Sequence, residues 1–118
     1  MKHYSAFYFD AKLILYRNEE IFISEIQIKI LKQVLIDGSI NEASKNLKMS
    51  YQHVWHILDK LNRLSPLPII IRQKGGRDGG GCHLSPYGVK IINFYESKAN
   101  ELADYLQTMN QDIEKCFF

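Results

Sequence analysis

The spacing of apolar residues changes character along the chain, and each change predicts an element. The first 23 residues are rich in aromatic and β-branched side chains. Within them KLILY (Lys12–Tyr16) and EIFI (Glu20–Ile23) flank the polar run RNE, a pattern that predicts a β-hairpin with Asn18 in its turn. From Ser24 the period becomes helical. Ile26, Ile30, Leu31, Val34 and Leu35 recur at helical spacing. Ser24 stands three residues before Gln27, the spacing of a capping box, and Gly38 supplies a left-handed stop. Ser39, with Glu42 three residues on, opens a short second helix over about Ile40–Leu47. Ser50 caps a third, Tyr51 to about Leu64, which Pro66 and Pro68 terminate.

PIIIRQ then reads as a short β-branched strand. QKGGRDGGGC (Gln73–Cys82) follows, with five glycines in ten residues, and CHL is long enough only for a return strand. Strand, glycine loop and strand make a second hairpin. Ser85 caps a last helix that runs to about Ile113, with Pro86 at the first position, where a missing N–H costs nothing. No repeat and no dividing linker is present, so one domain is expected over residues 1–118. Its parts are a hairpin region (1–23), a helix-turn-helix with wing (24–84) and a C-terminal dimerisation helix (85–118). The predicted class is mainly α with small β elements.

Helix, short helix, tight turn, longer helix and β-hairpin, in that order, describe a winged helix-turn-helix. The third helix must then offer one face to the core and another to the major groove. Val54, Ile57, Leu58, Leu61 and Leu64 form one stripe, and Gln52, His53, His56, Asp59, Lys60 and Arg63 lie on the other sides. Gln52, His53 and His56 occupy the first turns, the part of a recognition helix that reaches base edges. Glutamine can pair with adenine, and histidine can donate to guanine or phosphate. Lys60 and Arg63 lie farther along and suit backbone phosphates. Tyr51 can pack its ring while its hydroxyl reaches a phosphate. Ser39 and Ser50 are caps first, and the free N–H groups of the helices they open can also receive phosphate oxygens. Trp55 is the only tryptophan, and Val54 and Leu58 beside it place it with the core.

Charge sharpens this picture. The formal net charge is only +2, but Lys45–Asp78 holds seven basic and two acidic residues, hence +5, which leaves −3 for the rest. A basic centre with acidic flanks points to a polyanionic partner. Arg72, Lys74 and Arg77, in and beside the glycine-rich loop, suit phosphates of a duplex.

GSINEASKNLKMSYQHVWHILDKLN (Gly38–Asn62) resembles the DNA-binding domain of ModE-type molybdate-responsive regulators. The shared features are Gly-Ser-Ile, a short alanine-bearing helix, Ser-Tyr, and a tryptophan in the third helix, here preceded by Val54 where the family has alanine. KGGRDGGGCHLSPYG resembles the family's wing and its Leu-Thr-x-x-Gly, with Ser85 for threonine. The likeness covers about Phe22 to Tyr95, and the LysR-type helix-turn-helix is a more distant relative. It implies a winged-helix regulator of transcription. No stretch resembling the family's C-terminal molybdate-binding domains follows, so molybdate sensing is not expected of these residues, and a separate effector-sensing partner is one alternative.

In the last helix Ile92, Tyr95, Ala99, Leu102, Leu106, Met109 and Ile113 follow steps of 3, 4, 3, 4, 3 and 4, a heptad seam. The N-terminal half suits packing on the chain's own first helix and hairpin, and the C-terminal half suits a second copy. A homodimer on a palindromic operator is expected. Glu101, Asp104, Asp112 and Glu114 keep this helix away from DNA.

Other classes fare worse. The glycines do not fit Gly-x-x-x-x-Gly-Lys-Ser/Thr, and they precede CHL and not a helix, so neither a P-loop nor a dinucleotide fingerprint is present. His3, His53, His56 and His83 form no catalytic or metal set, and no enzyme activity, cofactor or metal is expected. The alternative that survives is a winged helix used only for protein contacts. Cys82 and Cys116 match no zinc spacing and are expected as free thiols. Asp10 and Lys12 break the opening run, no apolar stretch approaches ~20 residues, and a cytoplasmic location without membrane contact is expected.

Overall fold

The computed structural model describes residues 6–73 and 81–118. Its elements, in chain order, are β1 (Leu15–Arg17), β2 (Glu20–Ile23), α1 (Glu25–Asp37), α2 (Ile40–Leu47), α3 (Tyr51–Leu64), β3 (Ile70–Arg72), β4 (Cys82–Leu84) and α4 (Pro86–Phe117).

Local chemistry sets most of these boundaries. Gln27 Oε1 accepts the Ser24 N–H at 2.8 Å, which closes the start of α1. Gly38 ends it at φ 72°, a conformation that a side chain would strain. Ser39 Oγ accepts from Glu42 N and Ser50 Oγ from His53 N, at 3.0 and 3.1 Å, so α2 and α3 begin at their serine caps. Lys48, at φ 57°, makes the left-handed step between the two helices. Ser85 Oγ accepts from Gly88 N at 2.9 Å and starts α4.

β1 and β2 form an antiparallel hairpin whose two turn residues, Asn18 and Glu19, both have positive φ, as a tight two-residue loop requires. The first strand was expected from Lys12 but begins at Leu15. Two features end the pairing early. A bulge separates Leu15 from Tyr16, and the Leu13 carbonyl accepts the Tyr95 hydroxyl of α4 at 2.7 Å instead of a cross-strand N–H.

The core gathers α1, α2, α3 and the inner faces of both hairpins. Ile23, Ile30, Leu31, Val34, Ala43, Val54, Leu58 and Ile69 are fully buried there. On α1 the buried set is Ile28, Ile30, Leu31 and Val34, whereas Ile26 and Leu35, expected with them, are exposed. Ile28 lines a groove between α1 and α4 together with Tyr95 and Ala99.

α4 is 32 residues long, about 48 Å at 1.5 Å per residue, and it lends the molecule its long axis of 63 × 29 × 22 Å. Its last turns meet the segment before β1. The Asn110 side chain takes both polar groups of Phe9, accepting its N–H and donating to its carbonyl at 3.2 Å. The rings of Phe7 and Phe117 meet edge-on at 5.3 Å.

Candidate nucleic-acid interface

α3 presents the polar face expected of it. Val54, Leu58 and Leu61 are buried, and Ile57, Leu64 and Trp55 are half-buried against the core. Tyr51, Gln52, His53 and His56 are exposed and lie within the first two turns. The Ser50 hydroxyl is committed to the cap, so its role at a ligand would pass through the N–H groups of the first turn.

Two elements hold α3 from behind and from the side. At its C-terminal end the Arg17 guanidinium donates to the Leu64 carbonyl, placing a cation where the helix dipole is negative. Two residues earlier, Asn62 Oδ1 accepts from Ile69 N and Ile70 N, both at 3.0 Å, and Asn62 Nδ2 donates to Ile70 O at 2.9 Å. β3 therefore starts beside Asn62 and runs back along α3. Two residues later the Arg72 guanidinium lies over the Trp55 ring, 4.6 Å from its centroid. The same indole meets the His56 ring edge-on at 5.4 Å.

The base of the wing is tied to α2 as well. Cys82 N donates to Gly38 O at 3.0 Å, Gln73 N donates to Gly81 O at 2.8 Å, and Ser39 pairs with Gly81 in an antiparallel bridge. This puts the α2 cap, the wing base and the first turns of α3 on one side of the domain. Ser39 is half-buried under that bridge.

The cationic residues divide into three groups. Lys60 Nζ lies 3.9 Å from Glu20 of the hairpin, and Arg63 Nε lies 3.4 Å from Asp59 one turn back. Exposed pairs of this kind are worth about 0–1 kcal/mol, so either cation can exchange its carboxylate for a phosphate. Arg72, expected to face a phosphate, is exposed and has its guanidinium over the Trp55 ring. Lys74 and Arg77, the two wing-tip cations, lie outside the described residues.

The seam of α4 is used differently from the simple heptad expectation. Ile92 and Tyr95 are buried in the protomer's own core, and Ala99 is half-buried beside them. Ile113, assigned to a second copy, is only 6% exposed because Phe7 and Phe9 of the same chain flank it. Leu102 and Leu106 remain half-buried and Met109 is exposed. Tyr105, which no heptad position flagged, is 72% exposed on the same stretch.

Cys82 is buried and Cys116 exposed. Burial pushes the Cys82 thiol above its usual value of 9.0, and the nearby Arg72 charge acts in the opposite direction. Among the described residues no helix is long and apolar enough to cross a membrane.

No protein-family model matches the chain. Individual relatives do. It is 33% identical over 93 residues to the molybdenum transport protein ModE of Azotobacter vinelandii, covering 79% of this chain and 34% of that protein. It is 37% identical over 78 residues to the transcriptional regulator ModE of Haemophilus influenzae, covering 66% of this chain and 31% of that one. These residues form a ModE-type winged-helix domain. The chain spans about a third of the length of the curated ModE relatives it matches. Among solved structures, MepR, a transcription regulator of the Staphylococcus aureus multidrug efflux pump MepA, superposes with a TM-score of 0.59 at 21% identity, over 80% of this chain and 72% of MepR. That likeness reports the winged-helix fold, and it extends beyond the ModE family.

Proposed function

We propose that this chain is a DNA-binding regulator of transcription, that α3 enters the major groove, and that the wing rests on the adjacent backbone. The observation that carries the proposal is the exposed polar face at the start of α3, set beside the wing base on a ModE-type winged-helix domain. Gln52, His53 and His56 are the base-reading group. Tyr51, Lys60 and Arg63, with Lys74 and Arg77 of the wing, supply phosphate contacts, joined by the N-terminal N–H groups that Ser39 and Ser50 open. The named activity of the Haemophilus influenzae relative, a transcriptional regulator, supports the same reading.

The regulator acts as a homodimer on a two-fold symmetric site. Leu102, Leu106, Met109 and Tyr105 on the far half of α4 form the contact between copies, and the acidic residues of that half keep it from the duplex. The reading assigns these residues DNA contact and dimerisation, no catalysis, and no part of molybdate sensing.

A fluorescence titration of the chain on a pool of genomic fragments, at two salt concentrations, tests the proposal. Neutralising several phosphates releases their counterions, so affinity should fall by orders of magnitude as salt rises from about 50 to 200 mM. Binding indifferent to salt, or none to any fragment, would leave the protein-contact module as the better account.

A further inference from the structure

Arg72 is the last residue of β3, and although it is exposed, one side of its guanidinium lies over an indole. The 4.6 Å separation from the Trp55 centroid is a cation–π distance, and an arginine plane also stacks on such a face. Trp55 is half-buried against the core, and its ring is in edge contact with His56, one of the exposed residues at the start of α3. Arg72, Trp55 and His56 therefore form a continuous line from the wing strand to the polar face of the helix.

A second attachment makes this line consequential. β3 is already held at Ile70 by three hydrogen bonds that Asn62 makes to Ile69 and Ile70. Along α3 the two anchor residues, Trp55 and Asn62, are about two turns apart, some 10 Å. Along β3, Ile70 and Arg72 are about 7 Å apart. Pairing with β4 holds the other edge of β3. The Asn62 and Trp55 contacts together set the strand against α3 at both of its ends.

We infer that Arg72 is a positioning residue: it acts on DNA through Trp55, fixing the wing against α3 and steadying the His56 ring on the same indole, and not by pairing with a phosphate. This inference rests on the DNA-binding reading proposed above. Lysine cannot replace arginine in this role, because its compact ammonium lacks the plane that stacks on the indole.

The test measures duplex affinity against salt for the wild-type chain, Arg72→Ala, Arg72→Lys, Trp55→Leu and the Arg72→Ala/Trp55→Leu double variant, with thermal unfolding as a control for folding. Arg72→Ala should weaken binding ~10-fold, the size of a cation–π contact of moderate strength, with the salt slope unchanged. Arg72→Lys should not restore the affinity. On the Trp55→Leu background, Arg72→Ala should change affinity less than about twofold, because its partner ring is already gone. Emission of the single tryptophan should also shift in free Arg72→Ala, with no DNA present. A salt slope lowered by about 0.9 in Arg72→Ala, with affinity recovered in Arg72→Lys, would make Arg72 an ordinary phosphate contact and overturn the inference while leaving DNA binding intact. A wild-type chain that binds no duplex at any salt would overturn the DNA-binding reading and this role together.

Discussion

The side-chain amide of Asn62 pairs with the backbone of Ile70 as a neighbouring strand would, accepting its N–H at 3.0 Å and donating to its carbonyl at 2.9 Å. A helix residue thus supplies the edge partner for the strand that enters the wing. The pairing also fixes where β3 starts, because Ile69 N shares the same amide oxygen at 3.0 Å. α3 and β3 are coupled through it before any ligand is involved.

Replacing Asn62 with alanine should leave the Ile69 and Ile70 N–H groups without this acceptor in a region where both side chains are buried. Loss of stability of about 1–3 kcal/mol is expected. Hydrogen exchange at Ile69 and Ile70 should accelerate more than at Val34 in the helix core. Unchanged exchange at these two amides would mean that Asn62 does not hold the strand.

Gly88, in the first turn of α4, lies close to Ile69, the residue before β3. A Cβ there would lie 2.7 Å from the Ile69 carbonyl oxygen, which is backbone and cannot rotate away. Helix propensity alone favours alanine over glycine by about 1 kcal/mol. The clash should outweigh it, since overpacking of this kind costs about 1–3 kcal/mol. Thermal unfolding of Gly88→Ala should therefore show a lower midpoint, and a raised midpoint would show that α4 can shift to make room.

The two thiols should differ in reactivity. Cys116 is exposed, while Cys82 is buried and its thiol is held protonated by burial above the usual 9.0. At pH 8 a thiol reagent should modify Cys116 quickly and Cys82 only as the domain opens. The raised value also has a sign for stability: the folded chain binds the Cys82 proton more tightly than the unfolded one, so this contribution is intact below 9.0 and declines as pH rises beyond it. Equal labelling rates for the two thiols in the native protein would contradict the burial of Cys82.

Dimerisation can be separated from DNA contact by substitutions on the far half of α4. Tyr105→Glu and Met109→Glu alter exposed residues. Both should shift sedimentation toward the monomer with little change in helix content. Duplex affinity should then fall without a change in base preference, since each monomer keeps its own α3. A wild-type chain that sediments as a monomer throughout the micromolar range would remove the proposed interface.

Much of the fold was legible because serine, glycine and proline mark boundaries by local chemistry. Ser39, Ser50 and Ser85 each cap the helix expected from them, and Gly38 and Pro86 stand where the backbone needs them. α1 was harder to read. Isoleucines at 26, 28 and 30 alternate, so the sequence alone does not say which side is inward, and in the fold Ile28 and Ile30 are buried while Ile26 is exposed. The seam of α4 reads as a perfect heptad, yet part of it is covered by Phe7 and Phe9, more than a hundred residues earlier in the chain for Ile113. At the candidate interface the exposed residues of α3 followed from the helical period. The place of Arg72 did not, since its charge suits a phosphate and an indole equally well and only the path of β3 along α3 brings it over Trp55.

The central claim is that α3 reads bases while the wing holds the backbone, and selection from a random duplex pool tests it most directly. The wild-type chain, Gln52→Ala and Arg77→Ala would each be sequenced after enrichment. The account predicts a two-fold symmetric site for the wild type. Gln52→Ala should lose discrimination of about 1–3 kcal/mol at one position in each half-site. Arg77→Ala should keep the same site with weaker binding overall and a salt slope lower by about 0.9. Loss of a single base preference in Arg77→Ala, with Gln52→Ala weakened uniformly, would contradict the assignment of helix and wing, and no enriched site for the wild type would contradict sequence reading altogether.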